Sequence, residues 1–181
     1  MCASSPLPTP VFLTWMTGSI AAALGVPLVK FLEPRGKDRS LIVRAGTGWP
    51  PGIIGNASVL NKTTSLAGLT FHLGVPCVCS DLPRMAGLTD ATLLRRHDVV
   101  SSACVCVGSP DAPVGVLSVH SLMCREFTTM DMDFLTRVAS VIDTRLTLRR
   151  TGGGRRSRGG KAGMRYVTPA ESVSPPNRSI R

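Results

Sequence analysis

Two pairs of β-forming runs constrain this chain more than any other feature: VPLVKFLEP with SLIVRAG, and SACVCVG with PVGVLSVHS. The first pair is joined by the turn-forming cluster Arg35-Gly36-Lys37-Asp38 and the second by GSPDAP. Residues 26–46 and 102–121 therefore each read as an antiparallel hairpin. An isolated hairpin is marginal in water, so the intervening segments must cover the apolar faces of these strands.

Those segments have helical character. Ile20, Ala21, Ala23 and Leu24 place a helix over residues 15–24, closed at Gly25 because Pro27 cannot continue it. Thr63, Thr64 and Ser65 offer capping oxygens for a helix over 63–73, in which Leu66, Leu69 and Leu73 recur at helical spacing before Gly74 and Pro76. PCVCSDL, residues 76–82, reads as a further strand, and TDATLLRRH predicts a helix over 89–97. Thr128 and Asp131 form a capping box for a final helix. Its apolar face is expected to hold Phe134, Leu135, Val138, Val141, Ile142 and Leu146, with Arg149 and Arg150 at its negative end. The loop GTGWPPGIIGN is too rich in Gly and Pro for regular structure, yet Trp49, Ile53 and Ile54 are apolar enough to fold back over the core. Helix, hairpin, helix, strand, helix, hairpin, helix is the order of an α+β domain built on an antiparallel sheet.

The net charge of +10 is unevenly spread, with +4 over residues 1–150 and +6 over residues 151–181. The basic segment GGGRRSRGGKAG has no apolar period, so residues 151–181 are expected to form a disordered tail and 14–150 the folded domain. Residues 1–13 are expected to be a disordered leading segment. Arg residues interleaved with Gly suit a polyanion, but only Tyr166 is available in the tail for base stacking, and specific nucleic-acid binding is not expected. The first 29 residues carry no charge, but Thr14, Thr17, Gly18, Ser19, Gly25 and Pro27 dilute their apolar run and no basic segment precedes it. Neither a membrane span nor an export signal is expected. Six cysteines without an export signal predict reduced thiols and a cytoplasmic protein.

LGVPLVKFLEP, LIVRAGTGWPPGIIG, GVPCVCSDL, DVVSSACVCVG, PVGVLSVHS and REFTTMDMDFLTRVASVIDTRL follow one another in a telling order. Over residues 18–148 the chain resembles a bacterial sensory GAF domain of the kind found in signal-transduction histidine kinases. The resemblance implies a five- or six-stranded antiparallel sheet with helices on both faces, the terminal helices on one and a small-molecule cleft on the other. It implies a sensory or regulatory role in signal transduction, as in two-component systems. That role would run through a homodimer or contact with a signalling protein such as a histidine kinase. Kinase, cyclase, phosphodiesterase and transcription-activating parts are not recognisable in this chain.

Trp49, Leu66, Phe71 and His120 are the residues expected to line such a cleft, three as apolar walls and His120 as an orienting polar group. No cofactor is assigned. Cys77-x-Cys79 and Cys104-x-Cys106 lie on predicted strands, whose period of two sends both sulfurs of a pair to one face. Zinc favours C-x2-C turns, so these thiols are read as core residues and no metal is expected. His72 and His97 are expected at helix ends, where an imidazole complements the dipole.

Three specialised branches of the resembled family are tested by its motifs. Free methionine sulfoxide reductases carry reactive cysteines before the first cleft helix and before the fourth strand, where this chain reads NKTTSLAG and LRRHDVVSS. The phosphodiesterase pattern Asn-Lys … Phe-x-x-x-Asp-Glu is met only by Phe127 and Asp131; Met132 replaces the Glu and His120-Ser121-Leu122 stands where Asn-Lys should fall. No cysteine precedes a histidine as in bilin attachment. Without an activated serine or paired carboxylates, no catalysis is expected. The alternatives are an interaction fragment with a polyanion-binding tail and a thiol redox enzyme of the methionine sulfoxide reductase type.

Overall fold

The computed structural model describes residues 8–36, 40–60, 62–85, 87–88 and 91–150. The expected tail and residues 1–7 of the leading segment lie outside the described residues. Within these bounds the chain forms α1 (Thr9–Leu24), β1 (Leu28–Arg35), β2 (Ser40–Thr47), β3 (Ser58–Val59), α2 (Leu66–Leu73) and β4 (Cys77–Cys79). α3 (Thr92–Arg95), β5 (Ser101–Ser109), β6 (Ala112–Ser121) and α4 (Thr129–Arg150) complete it.

α1 starts earlier than expected, so residues 9–13 are helical and not part of a disordered segment. The reason is local: Pro10 sits in the first turn, where its missing N–H is not needed, and the Phe12 amide reaches the Pro8 carbonyl at 2.9 Å. Leu13, Met16, Thr17 and Ile20 recur at helical spacing and are buried. Gly25 ends the helix at φ +60, a left-handed conformation that glycine adopts without strain, and its amide returns to the Ala21 carbonyl.

The six strands lie in the order β3-β2-β1-β6-β5-β4, with every neighbouring pair antiparallel. Both expected hairpins are present, and β1 pairs with β6 to join them, Lys30 opposite Ser118 and Leu28 opposite His120. The α+β architecture with helices on both faces is thus as read from the sequence. β3 was not foreseen; two residues are too short for a pattern, and Ser58 and Val59 are held by pairing with Ile42 and Leu41. α3 is one turn, shorter than the expected 89–97 helix, and ends before Asp98, a non-glycine residue at φ +53.

The sheet divides the interior in two. On one face α1 and α4 pack over Val29, Phe31, Ala45, Val105, Leu117 and Val119; on the other, α2, α3 and the loop after β2 cover Leu28, Leu32, Val43, Cys77, Cys104 and Val116. Strands covered on both faces leave no solvent-facing alternation, which is why β1 and β6 bury consecutive residues. The capping box forms reciprocally: the Asp131 amide reaches Thr128 Oγ1 at 3.2 Å and the Thr128 amide reaches Asp131 Oδ2 at 3.0 Å. Arg125 adds an ion pair to Asp131 and donates to the Leu24 carbonyl at 2.6 Å, tying the start of α4 to the end of α1. The buried stripe of α4 runs Met132, Leu135, Ala139, Ile142, Leu146; Phe134 and Val138 flank it and Val141 is exposed, so the face is rotated from the expected one.

Candidate functional site

Two adjacent rows of residues cross the α2-covered face of the sheet. One runs Gly46 (β2), Lys30 (β1), Ser118 (β6), Cys104 (β5), Cys77 (β4); the next runs Leu28 (β1), His120 (β6), Ser102 (β5), Cys79 (β4). Neighbouring strands are about 4.8 Å apart, so each row is a ladder of touching side chains. A charged group, an imidazole, two hydroxyls and three thiols therefore meet in what is otherwise an apolar layer.

A small cavity of about 20 Å³ lies against this cluster, room for about one water. The sheet contributes Lys30, Cys104, Ser118 and His120 to its wall; Ser65, Leu66 and Ala67 at the start of α2 close it from above, with Val59 and Leu94 at the sides. The start of α2 is fixed by Ser65, whose Oγ accepts from the Gly68 amide at 3.0 Å.

Trp49 forms the near wall of the cluster. Its Nε1 donates to the Val29 carbonyl at 2.9 Å, and the loop bearing it is held by the Gly55 amide on the Val43 carbonyl at 2.8 Å. Gly46 makes room for the indole: a Cβ there would lie 2.8 Å from the Val29 oxygen and 2.9 Å from Trp49 Cδ1. The ring meets His120 edge-on with centroids 5.5 Å apart and His97 in the same manner at 5.4 Å, and the Lys30 ammonium stands 4.8 Å from its centroid.

Burial dominates the electrostatics. Lys30 is 2% exposed, and removal from water lowers its pKa to about 8 against a weaker opposing pull from Cys104. His120 is fully buried; burial first, and the nearby Lys30 charge second, lower its pKa well below the usual imidazole value, so it is neutral. Its Nδ1 lies 2.8 Å from Ser102 Oγ, whereas Nε2 has no hydrogen-bond partner among the described residues. Burial raises the Cys104 thiol to about 11, opposed by its hydrogen bond to Ser118, and also raises Cys77 and Cys79. These thiols stay protonated and are poor nucleophiles and metal ligands as they stand. Among the described residues no three His, Cys, Asp or Glu side chains converge on one point.

Of the four residues expected at a cleft, Leu66 and His120 line this cavity, and Trp49 meets His120 edge-on without being one of the lining side chains. Phe71 is buried in the same apolar cluster but is not among the cavity-lining side chains. Sequence reasoning missed Lys30 and Ser102, and took Cys104 for a core thiol and Ser65 for a helix cap alone. His97 directly follows the C-cap of α3, at the helix end as expected, and there also meets Trp49 edge-on.

The sequence pattern of the GAF domain family matches residues 11–146, the whole of the sheet with its flanking helices. The chain belongs to the GAF family. No curated protein matches it. Among solved structures, the GAF domain of a phosphoenolpyruvate-protein phosphotransferase from Coxiella burnetii is similar at a TM-score of 0.73 and 15% identity, covering 82% of this chain and 88% of that one. Free methionine-R-sulfoxide reductase from Neisseria meningitidis, in complex with its substrate, is similar at 0.68 and 16% identity, covering 81% and 82%. The blue-light absorbing form of the Thermosynechococcus elongatus PixJ GAF domain is similar at 0.63 and 19% identity, covering 79% and 89%. A phosphotransferase domain, a reductase and a blue-light absorbing domain thus share this GAF fold, and the site must decide between them.

Proposed function

We propose that this GAF domain is a cytoplasmic sensory or regulatory module that binds a small ligand between α2 and the β1-β6-β5 surface, and that it carries out no chemistry of its own. The observation that carries this reading is the buried polar cluster beneath α2, where His120 borders a small cavity and its Nε2 has no partner among the described residues. A fully buried polar atom without a partner costs stability, and a ligand that satisfies it recovers that cost on binding. Occupancy would be passed on through a homodimer or to a signalling protein such as a histidine kinase. The reductase reading is weakened by the thiols themselves: Cys77, Cys79 and Cys104 are buried, neutral and borne on strands, whereas a redox thiolate needs an accessible, electropositive niche.

A thermal-shift screen of nucleotides, cyclic nucleotides, tetrapyrroles and small metabolites tests the reading, because a ligand for the native state raises the melting temperature by mass action. The expected result is a hit whose shift is lost in His120→Ala. Methionine sulfoxide reduction that depends on Cys104 would overturn the non-catalytic part.

A further inference from the structure

Among the described residues, Lys30 is the only charged one lining the cavity beneath α2, and no carboxylate faces its ammonium. Buried charges in folded proteins are ordinarily paired. The other groups around it do not supply the missing partner: Trp49 offers a ring face, Cys104 a protonated thiol and His120 a neutral imidazole. Above the cavity, Leu66 and Ala67 open α2, whose first-turn amides have no acceptor within the helix and form its positive end. Lys30, Ser118, His120 and the first residues of α2 thus border one small, largely apolar space, and His120 Nε2 is buried without a partner among the described residues.

We infer that this space is a binding site for a compact monoanion, of the size of chloride, held by the Lys30 ammonium with the Ser118 hydroxyl and the His120 imidazole beneath the start of α2. The inference rests on reading the cleft as a ligand site and specifies what that ligand is. When the Ser102 hydroxyl donates to Nδ1, Nε2 carries the ring hydrogen and becomes a donor to the anion. The volume of about 20 Å³ sets the size class, since it holds one small species and not a nucleotide or a tetrapyrrole without displacement of α2. Binding also restores neutrality around Lys30, so the anion and the lysine proton are taken up together.

Trp49 is the natural reporter. The chain has two tryptophans, and Trp15 is 61% exposed on α1, so Trp15→Phe leaves emission from the site alone. In that background, chloride and bromide titrated at constant ionic strength are expected to change the emission with saturation at millimolar concentration. Formate, with three heavy atoms, should bind more weakly, and sulfate at matched ionic strength should give no saturable change. Lys30→Met should abolish the response. In the protein retaining Lys30, affinity should fall about tenfold or more between pH 7 and pH 9.5, because the unliganded ammonium titrates near 8. The groups facing Lys30 do not mask this: Cys104 titrates near 11, His120 is neutral throughout, and Ser65, Leu66, Ala67, Val59 and Leu94 are not ionisable there. Absence of saturation with any anion, the same saturation in Lys30→Met, or an affinity flat across that pH range would each overturn the inference. The pH series needs no variant at Lys30, and so stands even if Lys30→Met does not fold. An organic hit that depends on His120 and is indifferent to Lys30→Met would overturn the anion site while leaving the sensory reading in place.

Discussion

Lys30 on β1 and Ser118 on β6 stand opposite each other in the middle of the sheet, and the lysine is 2% exposed although no acidic side chain faces it among the described residues. A strand position bounded by Val29 and Phe31 and covered on both sides ordinarily takes an aliphatic residue. Placing a cation there costs folding energy, and that cost has a distinct pH signature.

Lys30 has a folded pKa of about 8 against an ordinary value of 10.5, so the folded state binds fewer protons than the unfolded state between those limits. The penalty is fully present below about pH 8 and fades as pH rises to about 10.5. Lys30→Met is therefore expected to be more stable than the parent at pH 7 by up to about 3 kcal/mol, less whatever the contact with Trp49 contributes. The gap should close towards pH 10.5, and urea denaturation at pH 7 and pH 10 reads it directly.

Ser65 caps α2 through the Gly68 amide and also donates to the Leu60 carbonyl at 3.1 Å. Ser65→Ala should cost about 1–2 kcal/mol and loosen the roof of the cavity. Chemical denaturation gives the energy, and faster hydrogen exchange confined to α2 gives the location.

Gly46→Ala should be among the more damaging single-methyl changes, because the added carbon meets the backbone oxygen of Val29, which cannot yield as a side chain can. A loss of about 1–3 kcal/mol is expected, with a red shift of Trp49 emission as the indole leaves its place beside His120.

The thiols should sort by burial. Cys124 is exposed and should react first with a thiol reagent, whereas Cys77, Cys79 and Cys104 should be modified only as the protein unfolds. Peptide-resolved mass spectrometry of a timed labelling series separates them. Fast native labelling of Cys104 would return the redox reading to consideration.

Much of the fold was legible because its signals are local. Gly25 and Gly74 stop helices, Ser65, Thr128 and Asp131 start them, and the GSPDAP cluster turns β5 into β6. The misses have physical causes. β3 exists only through its pairing with β2, and α3 is cut short by the turn at Asp98. Val141 was placed on the buried face by hydropathy, but the stripe is set by Met132 and Ala139, which hydropathy ranks lower. Within the site, Trp49 and His120 could be named because an aromatic in a Gly/Pro loop and a histidine on an apolar strand are conspicuous. Lys30 could not, since a lysine in a β-forming run reads as a solvent-facing position until both faces of the strand are known to be covered. Leu28 and Leu32 around it were the available signal, because no polar alternation surrounds the lysine. Ser102 is small enough to pass for filler in a strand of valine and cysteine.

The most direct measurement is crystallographic: crystals soaked in sodium bromide, with anomalous data collected at the bromine edge. Bromide is a heavy member of the compact monoanion class and its position is unambiguous. The account predicts an anomalous peak beneath Leu66, within about 3.5 Å of both Lys30 Nζ and His120 Nε2, and its loss in Lys30→Met. Peaks confined to the protein surface, with the space between Lys30 and His120 empty or holding water, would contradict it.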